Sequence, residues 1–131
     1  MKINADTNVL LRLFLQDDPA QEEISLRLMK DAEEIFMTVP ALCEVAWVVS
    51  KGYKLPRHVL IAFFETLLHT RGVVMDERAV QSGIEMLKAG GDFADGAIAD
   101  LGYQRGATFV SFDLQAVARL KAMKLPAMLA E

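Results

Sequence analysis

Short apolar runs recur between longer stretches of helical periodicity, and that alternation does most to restrict the fold. Ile35 to Val39 is compact, rich in branched and aromatic side chains, and too short for a helix, so it reads as a buried strand. Lys2 to Asp6, Val73 to Met75, Thr108 to Phe112 and Pro126 to Leu129 read as strands too. Between them lie helices. Asn8 to Gln16 is dense in Val, Leu and Phe; Asp17-Asp18-Pro19 then stops it and caps the next, which runs from Pro19 to about Glu34 with Ile24, Leu28 and Ala32 on one face. Pro40 opens a helix through Val49, ended by Lys51-Gly52, and Pro56 opens one to about Thr70. Glu77 to Ala89, Asp92 to Gln104 and Leu114 to Met123 complete the helices, and glycines such as Gly72 and Gly106 follow their ends. Helices alternating with short apolar strands imply a short, largely parallel central sheet with helices on both faces, an α/β fold in three layers (α/β/α).

The 131 residues suit one domain, residues 1–131, long enough to bury about two-thirds of its unfolded surface. At 53% hydrophobic and 24% charged the composition is globular rather than disordered. No uncharged run approaches the ~20 residues of a membrane span. The N-terminal apolar run is interrupted by Asp6 and Arg12 and lacks the cleavage site of a signal peptide. A single cysteine, Cys43, forms no internal disulfide, which suits a cytoplasmic protein. The formal charge of −4 argues against a generic nucleic-acid coat, but not against an enzyme that meets nucleic acid at one local site.

In open α/β sheets, ligands bind outside the carboxyl ends of the strands. The first strand ends in Asp6, followed by Thr7 and Asn8; Glu44 lies one helical turn past the second; Asp113, preceded by Ser111, ends the Thr108 strand. The stretch GGDFADGAIAD (Gly90 to Asp100) adds Asp92 and Asp95, three residues apart on one helix face. Helix capping and the helix dipole account for Asp92, but not for a carboxylate at Asp95 among Phe93, Ala94, Ala97 and Ile98. An aspartate after a strand is, on its own, often just a turn or cap residue. Four carboxylates brought to one edge are different, because two of them about 4 Å apart repel by roughly 4 kcal/mol at an effective dielectric of 20. Such a cleft takes up protons or a cation, and oxygen ligands without paired Cys or His favour Mg2+ or Mn2+ over zinc.

The motifs DTN at 6–8, CE at 43–44, DFAD at 92–95 and SFD at 111–113 together resemble the PIN-domain ribonucleases, specifically the VapC-type toxins of bacterial toxin–antitoxin pairs. The resemblance spans nearly the whole chain, with the acids in the family's order. It implies a PIN-like (Rossmann-like) fold and a catalytic, metal-binding quartet of Asp6, Glu44, Asp95 and Asp113, with Thr7, Asp92 and Ser111 in support. It implies hydrolysis of RNA phosphodiester bonds assisted by Mg2+ or Mn2+, in which no side chain need act as nucleophile. It also implies a homodimer that offers an apolar groove to a helix of a protein antitoxin. Ser111 stands where Thr is more usual, and Gly96 is poor for a helix interior by about 1 kcal/mol relative to Ala.

Arg12, one turn after Asn8, is the expected RNA contact, whereas Lys51, Lys54 and Arg57 read as a solvated loop. His58 and His69 fall in a separate helix and read as surface or partly packed residues. No aromatic-rich platform or RNA-recognition signature is visible. Val9 to Leu15 and Val59 to Leu68 carry more apolar surface than one core face needs, which means deep burial or an interaction surface. Three other readings remain open at this point: a phospho-receiver domain, an RNA-processing PIN nuclease without an antitoxin, and a non-catalytic PIN-like binding module. The receiver reading wants an acidic pair just after the first strand and a late strand-end lysine; Asp17-Asp18 comes too late, and Lys121 and Lys124 lie in or just after a helix.

Overall fold

The computed structural model describes residues 1–131. The chain runs β1 (Lys2–Asn4), α1 (Thr7–Leu15), α2 (Pro19–Asp31), β2 (Glu34–Phe36), α3 (Val39–Trp47), a π-helical turn (Val48–Gly52) and α4 (Arg57–Leu68). It continues with β3 (Val73–Val74), α5 (Glu77–Lys88), α6 (Phe93–Tyr103), β4 (Phe109–Ser111), α7 (Leu114–Ala122) and β5 (Ala127–Leu129). Local chemistry sets most helix starts. Asp6, Asp18, Thr38, Asp76 and Asp113 each accept an amide hydrogen bond in the first turn that follows them, and Pro19 adds its fixed φ at the start of α2. Gln16 closes α1 in the left-handed region at φ 55°.

The architecture is α/β in three layers around a short sheet, and every strand pairing is parallel. The hydrogen-bonded ladder is in two pieces, β1–β2–β3 and β4–β5. Ile3 lies opposite Ile35 and Ile35 opposite Val73, while Val110 lies opposite Met128. The strands are shorter than the sequence reading because the helices start almost at once. Backbone pairing still reaches slightly past the strand ends, where the amides of Ala5 and Met37 donate to Phe36 and Val74.

The larger core cluster packs helices against the three-stranded ladder and includes Leu10, Ile35, Leu42, Val45, Phe64, Val80 and Phe93. A smaller one, with Met86, Val117, Leu120 and Leu125, lies beside β4–β5. Helices α5 and α6 contribute to both. Much of the apolar surplus on α1 and α4 goes into this packing: Leu10, Leu11, Leu60, Phe64 and Leu67 are buried, and Phe14 meets Phe63 edge-on at 4.7 Å. Helix α2 departs from its reading. Ile24 and Leu28 are exposed, along with Leu26, and Ser25 is the buried residue. A face defined by spacing alone did not show that the small side chain is the one turned inward.

Gly96 also has a structural reason. A Cβ there would collide with the Ser82 carbonyl of α5 and come within 2.8 Å of the Met86 Cβ. Replacing it with alanine should therefore lower stability by about 1–3 kcal/mol through overpacking, despite the better helix propensity. Denaturant unfolding checks this; a stabilised Gly96→Ala variant would contradict the close approach of the two helices.

Candidate functional site

Several of the candidate acids stand where helices begin. Asp6 joins β1 to α1, and its Oδ1 accepts the Val9 amide at 3.0 Å. Asp113 joins β4 to α7, and its Oδ1 accepts the amides of Gln115 and Ala116 at 3.0 and 3.1 Å. Ser111 accepts the Asp113 amide through Oγ at 3.0 Å, fixing the backbone from which that carboxylate projects. Each of the two aspartates thus commits one oxygen to its helix and keeps the other free of protein hydrogen bonds.

Glu44 is exposed on α3, and the Thr7 hydroxyl donates to its Oε2 at 2.8 Å. That bond ties the start of α1 to α3. Asp6, Thr7 and Glu44 line a shallow cavity of about 290 Å3. Asp92 and Asp95 line a second one of about 320 Å3, shared with Cys43, Trp47, Lys51 and Arg57. Asp92 occupies the N-cap position of α6 but makes no side-chain cap bond, so its carboxylate is not spent on the helix as the sequence suggested.

Asp95 is half-buried in the first turn of α6. Burial first, then the charges of Asp92 and Asp113, hold its carboxyl above the usual aspartate range. Burial and then Asp95 push the Cys43 thiol up as well, so the one soft donor nearby stays protonated. The acids form two groups: Asp6 with Glu44 through Thr7, and Asp95 with Asp92 and Asp113. Cys43 and Glu44, adjacent on α3, stand between them, since Cys43 feels Asp95. No three His, Cys, Asp or Glu side chains are gathered closely enough to hold one ion. The donor chemistry nonetheless fits a hard cation: free carboxylate oxygens, no imidazole, and a thiol held neutral.

Arg12 is not brought to these acids. Its guanidinium bonds Asp17 at 2.7 Å, and it lines a separate groove with Ile24, Ser25 and Leu28 of α2. The side chain is only 20% exposed, and a charge so placed needs a partner close by. Asp17 supplies it and also accepts from the Tyr53 hydroxyl at 3.3 Å, so Asp17 is a clasp and Asp18 alone caps α2. The cations near the acids are instead Lys51 and Arg57, from the segment read as a solvated loop. Arg57 donates to the carbonyls of Gly91 and Leu87, bracing the turn that leads into Asp92. The sequence reading also passed over Trp47, which is 65% exposed. Its spacing was visible: Glu44, Trp47 and Lys51 fall at i, i+3 and i+7.

No helix is long and apolar enough to cross a membrane. A family model described as PIN domain matches residues 3–122, a span that holds both acidic groups. Comparison with curated proteins gave no match.

The raised Asp95 carboxyl has a consequence for stability. The folded chain holds that proton more tightly than the unfolded one, so the contribution is present at low pH and is lost as pH rises through the folded-state value. In metal-free buffer, Asp95→Asn should therefore melt higher than the wild type at neutral pH, and the gap should close below the ordinary aspartate range. Thermal melts across pH in EDTA check this; an equal or lower melting temperature for Asp95→Asn at pH 7 would show that the carboxylate is not under repulsion.

Proposed function

The chain belongs to the PIN-domain family, and from that premise we propose that it is an Mg2+- or Mn2+-dependent ribonuclease, the toxin of a type II toxin–antitoxin pair. PIN domains are generally nucleases, and PIN nucleases typically use divalent metals. The observation that carries the reading is the family match together with the placement of the acids: Asp6 and Glu44 line one cavity, Asp92 and Asp95 line another, and Asp92 and Asp113 stand close enough to Asp95 to raise its carboxyl. A cation relieves what the protein leaves repulsive.

Asp6 and Glu44 from one group and Asp95 and Asp113 from the other would supply the oxygens for the ion, which would have to draw the two groups together to be held by all four. A bound divalent cation supplies a Lewis acid that activates water and offsets charge on the phosphodiester. The chain's part is orientation. Helix capping fixes the free oxygens of Asp6 and Asp113, the Thr7 hydroxyl holds Glu44, Ser111 steadies the backbone of Asp113, and Asp92 stands uncapped beside Asp95. Fixing a carboxylate before substrate arrives removes the cost of ordering it later.

The toxin reading adds a homodimer, a protein antitoxin and a cytoplasmic location. It draws on the ordered motifs DTN, CE, DFAD and SFD. It draws also on exposed apolar side chains: Ile24, Leu26 and Leu28 present on α2 the kind of surface that a partner covers.

Purified protein should cut RNA with Mg2+ or Mn2+ and stop when EDTA is added. Asp6→Asn and Asp113→Asn are the informative variants, because asparagine keeps the cap and removes the charge. Both, with Glu44→Gln and Asp95→Asn, should abolish cutting while the fold is retained. Thr7→Ala should lose about 10–100-fold, Asp92→Asn less than the quartet variants, and Asp18→Asn nearly nothing. Full activity in folded Asp6→Asn would overturn the assignment. Sedimentation should give a dimer at micromolar concentrations; a monomer there would count against the toxin reading.

A further inference from the structure

We propose that the cavity beside Asp92 and Asp95 is a nucleotide subsite, in which one unpaired RNA base stacks on the Trp47 indole and an adjoining phosphate meets the Lys51 ammonium. The inference rests on the ribonuclease reading and deepens it by naming the two side chains that would hold the strand beside the acids.

Trp47 is the first support. Tryptophan is highly buried on average, yet this one is 65% exposed at the end of α3. It lies one turn past Glu44, so its indole and that carboxylate share a helix face. The cavity it lines, about 320 Å3, is in the size range of small-ligand sites. Its lining mixes apolar Leu55 and Ala46 with the Ser50 hydroxyl, two cations and the carboxylates of Asp92 and Asp95. That mixed polar surface suits a flat aromatic ring on a polar backbone better than an apolar peptide, with Lys51 as the group to meet the phosphate.

The cations divide their labour. Arg57 is committed to the backbone carbonyls of Gly91 and Leu87. Lys51 is exposed and makes no ion pair, so its charge is free for a phosphate. The π-helical turn Val48–Gly52 carries Ser50 and Lys51 to the cavity, and such turns are frequent at functional sites. Single-stranded RNA is characteristically bound by stacking bases on aromatic side chains, whereas a base inside a duplex offers no free face.

Trp47 is the chain's single tryptophan, so its fluorescence reports on this cavity alone. The full chain in EDTA should be quenched by a short single-stranded oligoribonucleotide, and much less by the same sequence in a blunt duplex. Lys51→Ala should weaken the binding and flatten its log–log salt slope by about 0.7, the loss of one phosphate contact. With Mg2+, Trp47→Ala should raise KM about tenfold, Trp47→Phe should recover most of that, and Tyr103→Ala, an exposed aromatic elsewhere, should change neither. Unquenched fluorescence, or a KM untouched by Trp47→Ala, would overturn the subsite. The EDTA titration reads binding with cleavage off. A chain that binds but never cuts therefore fails the ribonuclease reading, and one that cuts with Trp47 unquenched fails only the subsite.

Discussion

Helices α5 and α6 meet so closely that two glycines are required between them. A Cβ on Gly96 would strike the Ser82 carbonyl, and one on Gly83 would come within 2.5 Å of the Phe93 ring. Phe93 in turn stacks on Phe64 at 4.2 Å, linking α6 to α4 within the larger core. On the other side, Met86 and Ala99 carry the same helix pair into the smaller cluster beside β4–β5. The two halves of the core are joined through this contact. Asp95 sits between Ala94 and Gly96 in the first turn of α6, so the packing that needs the glycine also settles where the carboxylate lies. Its partial burial follows from the fold rather than from any bond that it makes.

The acids differ in how they are accommodated. Asp6 and Asp113 cap helices, where amide donors and the positive end of the helix dipole offset their charge. Glu44 has the Thr7 hydroxyl and open solvent. Asp95 has neither a cap bond nor full solvation, and it faces Asp92 and Asp113 as well. Asp95 is therefore the acid on which burial and the charge of its neighbours act together, and a cation arriving there would relieve both.

Features governed by neighbouring residues were legible in the sequence; those governed by distant ones were not. Asp18-Pro19 starts α2 and Asp113 starts α7 because a cap needs only the next three residues. Strand positions were right to within one to three residues, since short branched runs leave little choice; the largest miss is the end of β2, read at Val39 and found at Phe36. Gly96 looked like a weak helix residue because its reason lies on α5. Arg12 looked like an RNA contact because nothing in its own helix shows that Asp17 turns back to it. The inward face of α2 was misread because Ile24 and Leu28 outrank Ser25 in hydropathy, though Ser25 is the residue that packs. The order of the four acids was readable, but their division into two groups depends on how α3 lies between α1 and α6.

The charge pattern bears on how an acidic chain meets a polyanion. At net −4, and with most of its site built from carboxylates, the protein offers RNA no long-range attraction. Several of its cations are occupied: Arg12 with Asp17, Arg27 with Glu23, Arg78 with Asp100, Lys88 with Glu65. Charge repulsion is screened within about 10 Å at 0.1 M salt, so it slows approach more than it opposes close contact. Binding must then come from short-range terms. Stacking on an exposed indole is one that carries no charge and survives salt. A single free lysine beside it adds local attraction without changing the sign of the surface. On the proposed reading, an acidic nuclease built this way would stay indifferent to nucleic acid in general and would respond to a strand that can place an unpaired base and its phosphate together.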